Sequence, residues 1–229
     1  MWPMPALAHK FVSIIFIPDV VICYWLEKTE KNKQLVVRAY KQYPLGNLEL
    51  TNLILFNPTV IKKHITSFLS EHNLQDAFVA FALHGPAVHE EFVTLPTSTP
   101  HRNDFTIPNS SHLLWEYRYV YPSDDGQFVF YVYSVPRFVV LQYELLAVAA
   151  QCNLITMTTQ TMALLSAYEH MFGSAFRRSQ LAIDMMQCNN NIGDLITADA
   201  VKCMVIGLPA EASAKEGATA VGLFCSEKV

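Results

Sequence analysis

Apolar positions in the second half of the chain change period several times, and the changes predict alternating strands and helices. Residues 128–134 form a continuous aromatic and β-branched run, which is typical of a buried strand. Pro136 suits the first turn of a helix, and residues 137–152 continue without glycine or proline. We expect Asn153 to end that helix in a left-handed conformation, with residues 154–158 as the next strand.

A second helix and a further strand complete this unit. Thr159 can cap a helix whose apolar side chains recur at helical spacing. Residues 180–186 predict a strand, with Asp184 near its end. The apolar face of the helix consists of Leu164, Leu165, Tyr168, Met171 and Phe172.

The first half of the chain opens with apolar runs of strand length. Residues 11–17 and 20–26 are apolar at nearly every position, as in strands that are covered on both faces. Pro18 and Asp19 between them predict the turn of a hairpin. Residues 35–43 predict a third strand of the same meander.

A helix and three more strands follow this meander. Asn57-Pro58 is typical of a helix start, with asparagine as the cap and proline in the first turn. Residues 77–83 predict a buried strand, and residues 88–95 a half-exposed one. Residues 113–121 alternate so that their aromatic side chains share one face, which we expect to pack in the core or on the following helix.

The order of these elements and several short runs of letters resemble the PilM-type proteins, actin-like components of type IV pilus assembly. The central match consists of VPR at 135–137, NL at 153–154 and ALLSAYE at 163–169. The segment FVAFALHGPAVHEEFVTLP at 78–96 is similar to a second part of that family. The run ATAVGLF at 218–224 is similar to its closing helix.

This resemblance implies an α/β (α+β) fold with an actin-like, ribonuclease-H-type core and an inserted small α/β subdomain. The core would comprise residues 10–76 and 135–229, and the inserted subdomain residues 77–134. The family carries most of a second lobe where this chain has few residues, so we expect that lobe to be largely missing. Residues 192–196 and 201–206 predict two strands in its place.

The resemblance also implies two glycine-containing turns that bind the phosphates of ATP, each with an aspartate nearby. At the first turn this chain has Ile15 for the aspartate, Ile17 for the glycine, and Pro18, which lacks an N–H donor. At the second turn Asp184 is retained without its glycine. We therefore predict a lost nucleotide site with no catalytic or metal-binding residues. Asp184 is the candidate cofactor-binding residue if ATP with magnesium still binds.

Composition narrows the classes of function. The 229 residues are 52% hydrophobic and 16% charged, which favours a folded chain with a sizeable core. The net charge of −4 without a basic block argues against a nucleic-acid partner. The five cysteines contain no CxxC pair, so neither a disulfide framework nor a zinc ribbon is indicated. No segment offers the ~20 mainly apolar residues of a membrane span.

The first hypothesis is a non-catalytic cytoplasmic scaffold, peripheral to the inner membrane. The resemblance implies that such a protein takes up the short tail of a membrane partner, PilN in the pilus system, in a groove between core and inserted subdomain. One alternative is an ATP-binding actin-like protein. Another is a protein similar to the cytoplasmic domain of a type II secretion platform. The high apolar content also predicts an exposed apolar face and self-association as a homo-oligomer.

Overall fold

A six-stranded sheet lies at the centre of the protein. The computed structural model describes residues 10–29, 35–46, 49–107, 110–123, 125–172, 192, 201–202 and 204–225. The strands are β1 Phe11–Ile17, β2 Val20–Lys28, β3 Leu35–Pro44, β4 Leu50–Thr51, β5 Ile54–Leu55, β6 Phe78–Leu83, β7 His89–Leu95, β8 Leu113–Pro122, β9 Phe128–Pro136, β10 Asn153–Thr159 and β11 Val205–Ile206. The helices are α1 Pro58–Glu71, α2 Arg137–Ala149, α3 Gln160–Phe172 and α4 Ala214–Cys225.

The central sheet has the strand order β10-β6-β1-β2-β3-β11. The predicted meander is confirmed, because β1, β2 and β3 pair antiparallel in sequence. On the other side, β6 pairs parallel to β1, and β10 pairs parallel to β6. Parallel neighbours need long crossover connections, which here contain α1 and α2. Within the described ranges, no helix combines the length and apolar composition that crossing a membrane requires.

Both faces of the central sheet are covered, which explains why β1 is apolar at nearly every position. Val12, Ile14 and Phe16 join the apolar cluster that includes the buried faces of α1 and α2. Phe11 and Ile15 join the cluster on the opposite face, with α3 and α4. A strand that is buried on both faces has no solvent-facing positions for polar side chains.

Helices α3 and α4 approach each other so closely that a glycine is required between them. A Cβ on Gly222 would lie 1.7 Å from the carbonyl oxygen of Ala163 in α3. Helix α4 is also held to β1, because the buried hydroxyl of Ser13 donates to the carbonyl of Ala220 at 2.9 Å. The edge of one ring meets the face of the other in the pair Phe11–Phe224, with centroids 5.2 Å apart.

A smaller sheet with the order β7-β9-β8 forms the inserted subdomain. The aromatic face of β8 was expected to pack in the core or on α2, and this is confirmed only for Tyr121, which is buried in the core cluster beside α3 and α4. Trp115 and Tyr117 instead lie against Phe105, which comes from the loop before β8. The side chains of that loop cover this face of the small sheet, which would otherwise be exposed to solvent.

The subdomain boundary predicted at residue 77 requires correction. Strand β6 belongs to the central sheet, where it pairs with β1 and β10, so the inserted subdomain begins after Leu83. A continuous apolar strand of this kind needs cover on both faces, and only the central sheet provides it. Although a small α/β unit was expected, the described residues between β6 and α2 contain three strands, two short 3-10 helices and no α-helix.

Several local predictions also differ from the structure. Asn57 makes no side-chain cap, although α1 begins at Pro58 as expected. Gln151, not Asn153, takes the left-handed conformation after α2, with φ +55°. The N–H groups that follow close the end of α2, and Cys152 donates to the carbonyl of Ala147 at 2.9 Å. Asn153 is then free to begin β10 beside Phe78.

The predicted strands near the C-terminus are mostly wrong. Ile192, Val201 and Met204 are helical, and only Val205–Ile206 forms a strand, parallel to β3. Short apolar runs fit a buried helix as well as a strand, and these side chains are buried in the cluster on the α3–α4 face. The strand predicted at residues 180–186 lies outside the described residues.

We predict that Gly222→Ala destabilises the protein by about 1–3 kcal/mol, because the added methyl group meets backbone that has no free rotation. Urea unfolding measures this loss. Gly217→Ala is the matched control in the same helix, since its nearest obstacles are the side chains of Leu208 and Val201. We expect a clearly smaller loss there. Equal stabilities for the two variants would contradict the close approach of α3 and α4.

Candidate functional site

A groove of about 680 Å³ lies between the central sheet and the inserted subdomain. We call it the inter-sheet groove. On the core side it is lined by Leu83, Arg137, Val140 and residues 157–159. On the subdomain side it is lined by Arg102, Asn103, Phe105, Ile107, Tyr133, Val135 and residues 113–116. The groove therefore joins the first residues of β8 and the last residues of β9 to the carboxyl ends of β6 and β10.

Two of the four strands that line the groove, β8 and β10, are the outermost strands of their sheets. Within the part of the chain that the structure describes, β8 pairs only with β9, and β10 pairs only with β6. An outermost strand presents backbone N–H and C=O groups that can pair with an added strand. The groove is thus bounded by two sheet edges among the described elements.

The lining of the groove combines apolar and aromatic side chains with polar and charged groups, and polar and apolar atoms contribute almost equally to its surface. The guanidinium of Arg102 lies 4.4 Å from the centre of the Trp115 ring, in cation–π contact. Arg137 enters the lining from the first turn of α2. Among the described residues neither arginine forms an ion pair with a carboxylate. Both guanidiniums can therefore donate to a carbonyl or carboxylate oxygen of a bound molecule.

The hydroxyl of Tyr133 forms hydrogen bonds with two other residues of the lining, Glu116 and Thr158. Burial raises the pKa of Tyr133, so its hydroxyl stays protonated and donates to Oε2 of Glu116 at 2.7 Å. The carboxylate of Glu116 is exposed and accepts this bond on facing strands of the small sheet. This pair places one negative charge beside the two arginines.

A buried polar network holds the small sheet against the start of α3. Burial raises the pKa of Tyr131, and its hydroxyl donates to Oε1 of Glu90 at 2.6 Å. The same hydroxyl lies 2.7 Å from the hydroxyl of Thr159. Thr161 donates to Oε2 of Glu90 at 3.0 Å. The predicted capping role of Thr159 is confirmed, since it accepts the N–H of Met162 at 3.1 Å.

A second link ties β8 to the middle of α3. The guanidinium of Arg118 pairs with the carboxylate of Glu169 and donates to the hydroxyl of Ser166 at 3.0 Å. Ser166 in turn donates to the carbonyl of Met162 at 3.1 Å. Both links join the inserted subdomain to α3, so they determine how far β8 stands from β10 and how wide the groove is.

The residues at the first phosphate-binding position of the fold family do not fit a nucleotide. Ile15 is fully buried and packs in the apolar cluster on the α3–α4 face. Pro18 brings no N–H to the turn, and Asp19 takes φ +66° while its carbonyl accepts the N–H of Leu45 at 2.7 Å. Asp184, the candidate cofactor-binding residue, lies outside the described residues. No step of nucleotide chemistry is assigned to this turn.

The groove residues were not singled out from sequence as a site. The aromatic alternation of β8 was visible, but Trp115 was assigned to core packing. Arg102 and Phe105 lie in a polar loop without a recognisable motif. The available signal was a tryptophan in a strand that follows a polar loop with an arginine. This signal indicates a binding site only once the loop is known to fold back on the strand.

Comparison with known proteins supports the fold alone. No protein-family model and no curated protein matches the chain. A chain of the "PilM-PilN type IV pilus biogenesis complex" matches with TM-score 0.58 and 14% identity, over 72% of this chain and 51% of that one. The cytoplasmic domain of EpsL, from the type II secretion system of Vibrio cholerae, matches with TM-score 0.42 and 10% identity, over 67% of this chain and 57% of that one.

A protein of Bacteroides thetaiotaomicron with an actin-like ATPase fold also matches, with TM-score 0.37 and 9% identity, over 72% of this chain and 57% of that one. The first match confirms the predicted PilM-like, actin-like α/β fold. This chain spans about half the length of that solved chain.

We predict that Tyr131→Phe lowers the free energy of unfolding by about 1–3 kcal/mol, because Glu90 and Thr159 lose a buried partner. Tyr133→Phe is the matched control on the same strand. We expect it to cost less than about 1 kcal/mol, since water can replace the hydroxyl at the exposed Glu116 and at the partly exposed Thr158. Urea unfolding of both variants measures the difference, and an equal loss would show that the Tyr131 network is not a special link.

Proposed function

We propose that the protein is a non-catalytic scaffold that captures an extended segment of a partner protein in the inter-sheet groove. The observation that carries this proposal is the position of the groove between two sheet edges, β8 and β10. An extended chain can add to a sheet edge through its backbone while its side chains enter adjacent pockets. The volume falls within the usual range of binding pockets, roughly 300–1,000 Å³.

The chemistry of the lining suits a segment that carries both apolar and polar groups. Trp115, Phe105 and Val140 offer apolar surface on both sides of the groove. Arg102 and Arg137 can bind backbone carbonyls or a carboxylate of the segment, because no carboxylate of the described chain pairs with them. Apolar side chains would supply most of the affinity, and the arginines would orient the segment.

We further propose that the segment is the cytoplasmic tail of an inner-membrane protein of a type IV pilus, similar to PilN. The fold matches a chain of the PilM-PilN complex, and the sequence resemblance implies tail binding at this place in the fold. The protein would then act in the cytoplasm at the inner membrane. The alternative system is type II secretion, in which this chain would correspond to the cytoplasmic domain of a platform protein.

The proposal requires no nucleotide. Ile15, Ile17 and Pro18 stand at the first phosphate-binding turn, where the family has an aspartate, a glycine and a free N–H. Tail capture at the groove uses other parts of the fold, so it can persist without ATP. An ATP-binding protein that uses Asp184 is the competing function.

We predict that a synthetic peptide of a PilN-type cytoplasmic tail binds the protein with micromolar affinity, and that Trp115→Ala weakens binding at least tenfold. Fluorescence anisotropy of the labelled peptide measures both. Tyr119→Ala is the control, because Tyr119 lies on the same face of β8 and outside the lining. Absence of binding at high micromolar peptide, or equal losses in both variants, would refute capture in the groove. Tighter binding of a type II platform tail would assign the protein to that system.

We also predict that millimolar Mg·ATP leaves the melting temperature unchanged. A ligand at a hundred times its dissociation constant adds about 2.7 kcal/mol of stability, which a thermal shift detects readily. Asp184→Ala is the control variant. A stabilisation by Mg·ATP that this variant abolishes would establish the competing function.

A further inference from the structure

Helix α2 carries an apolar stripe on the side that faces solvent. Phe138, Leu141, Leu145 and Val148 are 52%, 55%, 68% and 74% exposed. The opposite side of the helix is buried in the core through Val139, Tyr143, Leu146 and Ala147. We call the exposed residues the α2 stripe. Contiguous apolar surface of this kind on a soluble protein marks an interaction site more often than chance exposure does.

The spacing of the α2 stripe is that of a helix-pairing seam. Its members are separated by three, four and three residues, which is the a–d–a–d pattern of a coiled coil. This pattern keeps all four side chains on one line along the helix. Phe56, 62% exposed, extends the patch sideways. Its neighbour Leu55 donates its N–H to the side chain of Gln142 in α2 at 3.0 Å.

We propose that the α2 stripe pairs with the α2 stripe of a second copy of this chain, antiparallel about a two-fold axis. The four residues of the α2 stripe lie outside the lining of the inter-sheet groove, and Arg137 borders both surfaces. The pairing does not depend on the function proposed for the groove. A two-fold axis brings the same patch of both copies together, so the patch must be complementary to itself. The α2 stripe meets this condition.

Size complementarity favours the antiparallel arrangement. With the axis at the middle of the seam, Phe138 faces Val148 and Leu141 faces Leu145. Each large side chain then lies opposite a smaller one, and the two leucines fill the centre evenly. A parallel pair would put Phe138 against Phe138 at one end and Val148 against Val148 at the other, which leaves uneven packing.

Charge supports the same arrangement. Arg137 is at the first position of α2, where the positive end of the helix dipole disfavours a cation, and no basic residue lies in the last turn. Antiparallel pairing brings Arg137 of each copy to the negative C-terminal end of the other α2. The charge of Arg137 therefore interacts unfavourably with the dipole of its own helix and favourably with the C-terminal end of the partner's helix.

Charge also argues against a lipid surface as the occupant. Helices that lie in a membrane interface are rich in lysine and arginine beside their apolar face. In α2 the charged residues are Arg137 and Glu144 alone, and they cancel. The stripe is moreover a convex ridge, whereas an extended peptide needs a groove. Five side chains per copy lie at the small end of specific interfaces, so we expect a dissociation constant in the micromolar range.

Sedimentation equilibrium over a concentration series tests the pairing. We expect the wild-type chain to shift from monomer to dimer in the micromolar range, and Leu145→Glu to raise the dissociation constant at least tenfold. Ile206→Glu is the matched control, because Ile206 is 49% exposed on β11, away from α2. A wild-type monomer at all concentrations would refute the proposal. So would a dimer that Leu145→Glu leaves intact.

Disulfide cross-linking of intact protein tests the orientation without relying on a destabilising variant. Glu144 lies beside the centre of the seam, so Glu144→Cys should form a dimer across an antiparallel axis. Phe138→Cys would cross-link readily only in a parallel pair. Peptide mapping assigns the bond against the native cysteines. If Leu145→Glu weakens tail-peptide binding and leaves the mass unchanged, the stripe belongs to the partner-binding surface and the self-pairing proposal fails.

Discussion

Strand β1 is the element on which the rest of the structure depends. It pairs with β2 on one side and β6 on the other, and apolar clusters cover both of its faces. The backbone of β1 is therefore paired on both sides, and nearly all of its side chains lie in the core. This explains why Ile15 is apolar and fully buried. A carboxylate without a bound cation would be costly to bury at that position.

The groove depends on a different kind of interaction. Apolar packing is non-directional, so it would leave the angle between two sheets loosely defined. The bonds from Tyr131 and Thr161 to Glu90, and from Arg118 to Glu169 and Ser166, have direction and length. They hold β8 at a set distance from β10. Polar links of this kind contribute modest stability, and here they give a defined width to the proposed binding site.

The proposed surfaces adjoin each other at Arg137 and otherwise occupy different parts of the fold. The groove lies at the carboxyl ends of β6 and β10, whereas the stripe runs along the outward side of α2. Tyr143 and Leu146 anchor the inner side of α2 on the central sheet. The stripe on the outer side of α2 therefore has a defined position relative to that sheet. A scaffold can therefore hold a tail in the groove while a second copy covers the stripe. Neither contact involves the turn at Pro18 and Asp19, where the sequence predicts that a nucleotide does not bind.

The sequence by itself determined the longer strands and helices between β1 and α3 to within a few residues, because amphipathic period and Gly, Pro or Thr signals are local. It also indicated the actin-like arrangement. It predicted the loss of the first phosphate-binding turn, because Ile15 and Pro18 stand at positions where such a turn needs an aspartate and an N–H donor. Tertiary structure alone decided that β6 joins the central sheet, that Ile192 and Val201 are helical, and that Phe105 and Arg102 fold onto Trp115. The sequence likewise did not show that the α2 stripe is exposed. Apolar spacing shows that four residues share a face, but only the packing of all other elements decides whether that face is covered.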